Sequence, residues 1–177
     1  MWEQADQIWE ELQNEDDFAS YASSNYEVLY QTLCELKTKA TTFLECGSGL
    51  GVATIMASHV GFEAYGIEAK PSLVDFSRKF NDQLNCNAVF ANGSFIPDEF
   101  EWDPATTDEP VRTFIDVAAA YDELDMSLED FDLIYAYPWP TEYSLYLDFL
   151  TQYARPDALF LCYDAREGML LRKVGDA

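Results

Sequence analysis

Residues that bind transition metals are scarce in this chain of 177 residues. It contains one histidine, His59, and four cysteines that lie far apart and form no Cys-x-x-Cys pair: Cys34, Cys46, Cys86 and Cys162. Structural zinc sites take four closely spaced cysteine and histidine ligands. We therefore expect no metal site, and we expect the cysteines to be small apolar residues within helices and strands.

Long apolar runs and a basic leader are also missing. No stretch approaches the roughly 20 apolar residues that a membrane helix needs. The N-terminal sequence MWEQADQIWEELQNEDDF is acidic, whereas a secretory signal begins with basic residues followed by an apolar core. We therefore expect a cytoplasmic protein that does not cross a membrane.

Basic residues are few, because 10 Lys and Arg face 33 Asp and Glu, giving a net charge of −23. Such a surface repels anionic lipid and nucleic acid phosphates, whose binding normally needs a basic footprint. Two alternatives remain. The acids form a solvated surface, as in proteins adapted to high salt, or they attract a cationic substrate or partner. Nucleic acid is the partner least expected.

The order of apolar patterns predicts an alternating α/β chain. Residues 1–40 are predicted to form a helical extension, with helices over 2–13 and 16–38. An acidic insertion at 97–130 is predicted to contain a helix near 110–120. Beyond residue 40, short apolar runs alternate with amphipathic stretches. The predicted strands are 41–46, 63–68, 87–91, 132–137, 158–163 and 169–174, and the predicted helices between them are 50–60, 71–84 and 141–153.

This alternation predicts a three-layer α/β sandwich with a mostly parallel sheet, formed by a single domain over 1–177. The chain after the fifth strand is short, so we expect an abbreviated C-terminal hairpin. In such sheets ligands bind beyond the carboxyl ends of the strands, near the switch in strand order. That rule selects the residues that follow the strands, at 45–51, 68–69, 92–95, 137–140 and 163–166.

A glycine-rich turn follows the first of these strands in the sequence FLECGSGLG, residues 43–51. Dinucleotide sites use G-x-G-x-x-G and hold pyrophosphate at a helix N-terminus. Here Gly47, Gly49 and Gly51 alternate, and Glu45 ahead of them would repel phosphate. A carboxylate there suits a cation, such as a sulfonium or an amino group, and the glycines allow close approach of a ligand without phosphate. S-adenosylmethionine (SAM) carries these groups.

The motif E-C-G-S-G-L-G at 45–51 resembles the first motif of the class I SAM-dependent methyltransferases, and two further motifs follow in order. Glu68 closes the second strand 21 residues after Gly47, where an acid accepts hydrogen bonds from ribose hydroxyls. The segment NGSF at 92–95 resembles the part that lines the adenine, with Ser94 where an acid is common. The resemblance spans about 41–164 and implies a Rossmann-like fold with SAM as cofactor. The residues implied to bind it are Glu45, Gly47, Ser48, Gly49, Gly51, Glu68, Ala69, Gly93, Ser94 and Phe95.

The stretch YAYPWP at 135–140, after the fourth strand, is similar to the Asp/Asn-Pro-Pro-aromatic motif of amino-methylating relatives. Ala136 or Tyr137 stands where the Asp or Asn of that motif lies, so methylation of adenine or cytosine is not expected. Trp139 offers a wall for a planar substrate or a cationic amine, unless it and Tyr137 simply cap the core. The candidates for the catalytic site are Tyr137, Trp139 and, as general base after the fifth strand, Asp164, with Tyr163 and Arg166 nearby.

The sequence thus predicts an enzyme that transfers a methyl group from SAM to a small molecule or a protein side chain. A nicotinamide enzyme is disfavoured by the glycine spacing, by Glu45 and by the lack of a Tyr-x-x-x-Lys pair. The main alternative is a module of the same fold that binds SAM or a protein partner without catalysis, since the altered fourth motif fits it too. The sequence determines neither the acceptor nor the oligomeric state.

Overall fold

The structure of the protein is a computed structural model that describes residues 25–102, 113, 117–139, 141–164 and 167–176. The predicted helix over 2–13 and the first part of the helix over 16–38 lie outside the described residues. None of the described helices combines the length and the apolar character needed to span a bilayer.

Six strands form one sheet in the order β3-β2-β1-β4-β5-β6. Strands β1 to β5 pair in parallel, and β6 runs antiparallel beside β5. The mostly parallel sheet is therefore confirmed, and the abbreviated hairpin consists of β5 and one antiparallel strand. The strands are β1 Thr42–Cys46, β2 Glu63–Glu68, β3 Val89–Asn92, β4 Leu133–Ala136, β5 Leu159–Asp164 and β6 Gly168–Lys173.

Five α-helices and two short 3-10 helices connect and flank the strands within the described residues. The α-helices are α1 Tyr26–Leu36, α2 Val52–Val60, α3 Pro71–Gln83, α4 Tyr121–Leu124 and α5 Tyr143–Tyr153. The 3-10 helices are Leu128–Asp130, which leads into β4, and Val174–Asp176, which follows β6.

Two predicted helices differ from the observed ones for local reasons. Helix α1 begins only at Tyr26, because Asn25 has extended backbone and its side chain accepts the Val28 N–H as an N-cap. The helix predicted near 110–120 lies partly outside the described residues, and its described end is not helical. There Ala119 forms an isolated bridge with Ser94, in the segment that follows β3. The carbonyl of Ala118 and the N–H of Ala120 therefore bond to the backbone of Ser94 and not along a helix.

Side chains of the strands alternate between two cores, one on each face of the sheet. Phe43, Leu133 and Leu161 lie on the face that α1, α2 and α3 cover. Leu44, Ile134 and Phe160 lie on the opposite face, beneath α5. Because helices cover both faces, the predicted three-layer arrangement is confirmed.

The switch in strand order falls between β1 and β4, since β2 and β3 extend the sheet to one side of β1 and β4 to the other. Cys46 pairs with Ile67 on β2 and with Ala136 on β4. The residues that come next, Gly47, Glu68 and Tyr137, therefore lie level at the carboxyl edge, where ligands bind in sheets of this kind.

Candidate functional site

The glycine loop between β1 and α2 requires its glycines. Gly47, Gly49 and Gly51 have φ angles of 74°, 52° and 76°, in the left-handed region that favours glycine. A Cβ on Gly51 would also lie 2.8 Å from the Phe90 ring and from Ser77 Cβ. The alternating glycines thus fold the chain tightly from strand to helix and leave an edge without side chains.

Four N–H groups of this loop donate to acceptors within the protein. Those of Gly47 and Ser48 both donate to the Ile67 carbonyl at 2.9 Å, and that of Gly51 donates to the Ser48 carbonyl. The Gly49 N–H donates to Glu68 Oε2 at 2.9 Å. A phosphate-binding loop points such groups at its ligand, so this loop is arranged for a ligand that carries no phosphate.

Glu68 joins the glycine loop to the turn after β2. It is 8% exposed, and its Oε1 accepts the Lys70 N–H at 3.0 Å while Oε2 accepts the Gly49 N–H. The Asn92 side chain holds the same turn from β3, because its Nδ2 donates to the carbonyls of Glu68 and Ala69. Each carboxylate oxygen can accept more than one hydrogen bond, so Glu68 retains the capacity to bind a diol.

Glu45 lies beneath the loop, 8% exposed, against the first turn of α2. Its Oε2 accepts both the N–H and the hydroxyl of Thr54, the former at 2.9 Å, and no described residue donates to Oε1. Burial raises the pKa of this carboxyl to about 8, the Thr54 bonds oppose the rise, and the charge of Glu68 adds to it. A buried acid whose pKa is raised in part by the charge of a second acid favours a cation beside the two.

Ser48 supplies a sign that the loop accommodates a polar ligand. The residue is 4% exposed, and its hydroxyl has no hydrogen-bond partner among the described residues. A buried hydroxyl without a partner costs stability, and orphaned groups of this kind occur at binding sites. The residues present therefore fit a polar, cationic ligand that lies along the glycine loop, as SAM would.

The segment after β3 packs beside the glycine loop. Gly93 is buried, and a Cβ on it would lie 2.7 Å from the Ala118 carbonyl. Ser94 is 2% exposed, and its hydroxyl accepts the Ile96 N–H at 3.0 Å. The Phe95 ring lies 3.8 Å from the Cβ position of Gly47. The first and third motifs of the sequence are thus brought together, while the contact of Ser94 with an adenine stays a prediction.

Two of the three candidates for the catalytic site lie at adjacent strand ends, after β4 and at the end of β5. The Tyr137 ring stands edge-on to Tyr163 at 87°, with centroids 5.3 Å apart. Burial raises the pKa of Tyr137, and the electrostatic effects of Tyr163 and Asp164 add to the rise. The third candidate, Trp139, is half-buried in the turn before α5, where its carbonyl accepts the Glu142 N–H. Arg166 lies outside the described residues.

The sequence did not single out a buried acid in the turn that follows Trp139. Glu142, 1% exposed, accepts hydrogen bonds from the N–H and the hydroxyl of Thr113 at 3.1 and 2.8 Å. The only feature of the sequence that could have indicated this residue is its place directly after the Trp-Pro-Thr sequence, at the start of α5. Thr54 was missed as well, although it is a lone hydroxyl on the apolar, buried side of α2.

Gly66 on β2 is a third residue that the sequence did not single out. It pairs with Glu45 across the sheet, and a Cβ there would lie 2.7 Å from Thr54 Oγ1 and 2.9 Å from Ser48 Cβ. The missing side chain therefore lets the loop and α2 approach the sheet closely. Within the described residues, no cluster of His, Cys, Asp and Glu is arranged to hold a metal ion.

No protein-family model and no curated protein sequence matches the chain. Solved structures do match it. An RNA methyltransferase from Salinibacter ruber in complex with S-adenosyl-L-homocysteine (SAH) superposes with a TM-score of 0.58 at 17% identity, over 81% of this chain and 78% of that one. An O-methyltransferase from Bacillus cereus in complex with SAH gives a TM-score of 0.57 at 16% identity, over 90% of this chain and 64% of that one.

A methyltransferase from Geobacter sulfurreducens gives a TM-score of 0.59 at 12% identity, over 92% of this chain and 73% of that one. Identities this low establish the architecture and not the substrate. The sheet order, the glycine turn after β1 and the acid after β2 agree with that architecture. The chain therefore has the fold of the class I SAM-dependent methyltransferases.

Proposed function

We propose that the protein transfers the methyl group of SAM to a small molecule or to a protein side chain. One observation carries the proposal most directly. Four N–H groups of the glycine loop donate within the protein, while two buried acids, Glu45 and Glu68, lie along the edge of the loop. That combination suits a ligand with a diol and a positive charge and without phosphate, and SAM is such a ligand.

The residues that would hold SAM follow from their positions. The free acceptor capacity of Glu68 suits the ribose hydroxyls, and Glu45 suits the cationic end of the molecule. Gly47, Ser48, Gly49 and Gly51 would allow close backbone approach, and the residues that would flank the adenine are Ala69, Gly93, Ser94 and Phe95. When bound, SAM supplies an electrophilic methyl group on its sulfonium sulfur.

The chain's own contribution to catalysis is mainly positioning, because methyl transfer is an in-line displacement at carbon. Tyr137 and Trp139 follow β4 and would form the wall against which the acceptor lies. Asp164 at the end of β5 would take a proton when the acceptor arrives protonated. Tyr137 and Asp164 are 27 residues apart in sequence, and their positions at the carboxyl ends of the neighbouring strands β4 and β5 support these roles.

A small molecule or a protein side chain is favoured over nucleic acid by the charge of the chain. A net charge of −23 opposes the approach of a phosphate backbone. The likeness to the RNA methyltransferase from Salinibacter ruber concerns the fold.

Calorimetric titration with SAH tests the cofactor. We expect saturable binding to the wild type and at least tenfold weaker binding to Glu68→Ala, since a buried charged acceptor is worth about 1.5–3 kcal/mol. Glu63→Ala is the matched control, because Glu63 is exposed at the other end of the same strand. Circular dichroism shows whether Glu68→Ala is folded, and Glu68→Gln, which keeps an acceptor oxygen, is expected to bind with intermediate affinity.

Two results would separate the alternatives. A folded wild type that binds no SAH at low or high salt contradicts the proposal altogether. Binding of SAM without transfer of its labelled methyl group to any added acceptor would favour the non-catalytic module. That alternative has one observation in its support, since Ala136 or Tyr137, depending on the alignment, stands where the similar motif of amino-methylating enzymes has Asp or Asn.

A further inference from the structure

The two edges of the sheet differ in how their outward backbone groups are used. At β3, the Phe90 carbonyl accepts a hydrogen bond from Arg78 Nη2 at 2.6 Å, and the Asn92 N–H donates to Glu123 Oε2 at 2.9 Å. At β6, which ends the sheet on the other side, no described residue covers the outer edge in this way. An uncovered edge strand can pair with the strand of another chain.

The hydrogen bonds to β5 show which backbone groups of β6 point outward. The Val174 N–H donates to the Ala158 carbonyl at 2.9 Å, in register with the β5–β6 ladder. Bonded and non-bonded residues alternate along an antiparallel strand, so the even-numbered residues of β6 bond to β5. The odd-numbered ones, Met169, Leu171 and Lys173, direct their N–H and carbonyl groups away from the sheet. Leu171 is also 46% exposed.

We propose that the outer edge of β6 pairs antiparallel with the same edge of a second copy of this chain, with Leu170 on the twofold axis. Hydrogen bonds require outward residues to lie opposite outward residues, and the registers of this kind with the largest overlap are centred on Met169, Leu170 or Leu171. Centring on Leu170 places Lys173 of each copy opposite Glu167 of the other. Both residues are exposed.

The charges and side chains of this register are self-complementary, as a twofold interface requires. A lysine on an edge strand ordinarily opposes pairing, but here symmetry gives each Lys173 a Glu167. Opposite charges directly across a strand pair stabilise it. Leu171 of each copy would lie opposite Met169 of the other, and the two Leu170 side chains would meet on the face that carries α5. This chain therefore fits its own edge.

Sedimentation velocity without SAH tests the proposal. Two copies with a net charge of −23 repel each other, so the solution contains about 0.5 M NaCl, where the Debye length is shorter than about 8 Å. We expect a reversible monomer–dimer equilibrium of the wild type at concentrations up to about 1 mM, where a weak complex is still populated.

Charge reversal tests the register. Lys173→Glu and Glu167→Lys should each weaken the dimer at least about tenfold, because like charges then lie opposite each other. Lys79→Glu and Glu63→Lys are the matched controls, since they make the same changes of charge at exposed positions on α3 and β2. Both controls should dimerise like the wild type.

A mixture of the two reversed variants gives the sharpest result. Lys173→Glu and Glu167→Lys should form a heterodimer when mixed, because each introduced charge then faces its opposite. Amide hydrogen exchange reports the backbone pairing. The N–H groups of Met169 and Leu171 should exchange more slowly as the dimer forms, whereas that of Leu170, which faces β5, should change little.

Several results would overturn the proposal. They are a wild type that stays monomeric at every concentration, equal weakening by Lys173→Glu and Lys79→Glu, or a mixture of the reversed variants that contains no heterodimer. Circular dichroism shows whether each variant is folded, and if one is not, the other and its matched control decide. The glycine loop takes no part in the pairing, so failure here leaves the proposed methyl transfer untouched.

Discussion

Glu45 is a buried acid of the site whose ionisation changes when the chain folds. Its pKa is raised from 4.5 to about 8, first by burial, against the opposing bonds from Thr54 and with the added charge of Glu68. Between these two pH values the folded protein therefore binds a proton that the unfolded chain has lost. The unfolded state holds fewer protons in this window, so the free energy of unfolding falls as the pH rises through it.

We expect Glu45→Gln to remove this pH dependence. The contribution of Glu45 should fall by up to about 1.4 kcal/mol per pH unit between pH 5 and 8, and the amide has no proton to lose. Urea unfolding of the wild type and the variant at pH 5, 6, 7 and 8, without SAH, measures the difference. Glu63→Gln, at the exposed start of β2, should follow the wild type. Parallel profiles for wild type and Glu45→Gln would contradict the raised pKa.

Some site residues could be predicted and others could not, for a physical reason. Glu45, Glu68 and the glycines follow strands directly, and the geometry of parallel sheets places strand ends at the site whatever the rest of the chain does. Thr54 acts through a hydrogen bond to Glu45, and Glu142 through bonds to Thr113, which is 29 residues away. Such pairings depend on how elements pack, and no local pattern reports them.

At the scale of elements, Asp132 hydrogen-bonds the start of β1 to the residue before β4, at the edge of the sheet opposite the site. Its Oδ2 accepts the N–H groups of Thr41 and Thr42 at 2.6 and 3.0 Å, and its Oδ1 lies 2.8 Å from Arg155. Burial acts to raise the pKa of this carboxyl, but these bonds and the arginine hold it below its ordinary value. The stabilisation is therefore present at neutral pH and lost as the pH falls below about 4.

We expect Asp132→Asn to lower the free energy of unfolding at pH 7 by about 1–3 kcal/mol, because two backbone N–H groups and Arg155 lose a charged partner. SAH affinity should stay within twofold, since the change lies at the far edge of the sheet. Urea unfolding and calorimetry measure the two quantities. Asp157→Asn, which removes an exposed partner of the same arginine, should change stability by less than about 1 kcal/mol. If Asp132→Asn is as stable as the wild type, the hydrogen bonds and the ion pair of Asp132 contribute nothing to stability.

The order and type of the elements could largely be predicted, whereas their limits and the insertion could not. Short apolar runs between amphipathic stretches mark the buried parallel strands. The chain within 97–130 has helical periodicity near its middle. The backbone of Ser94, however, is hydrogen-bonded to Ala118 and Ala120, so α4 begins only at Tyr121. Tertiary pairing outweighs local propensity here.

At the scale of the whole molecule, ten bases cannot neutralise 33 acids, so the compact state carries unbalanced negative charge. Self-repulsion of this kind destabilises a folded chain, and salt screens it, with a Debye length of about 10 Å at 0.1 M and 3 Å at 1 M. We expect the Tm to rise between 0.05 and 1 M NaCl, by roughly 2–4 °C for each kcal/mol of repulsion removed. Thermal melts in NaCl, compared with melts in sucrose at equal osmolality, measure the effect. A Tm that responds equally to both solutes would assign it to solute exclusion instead.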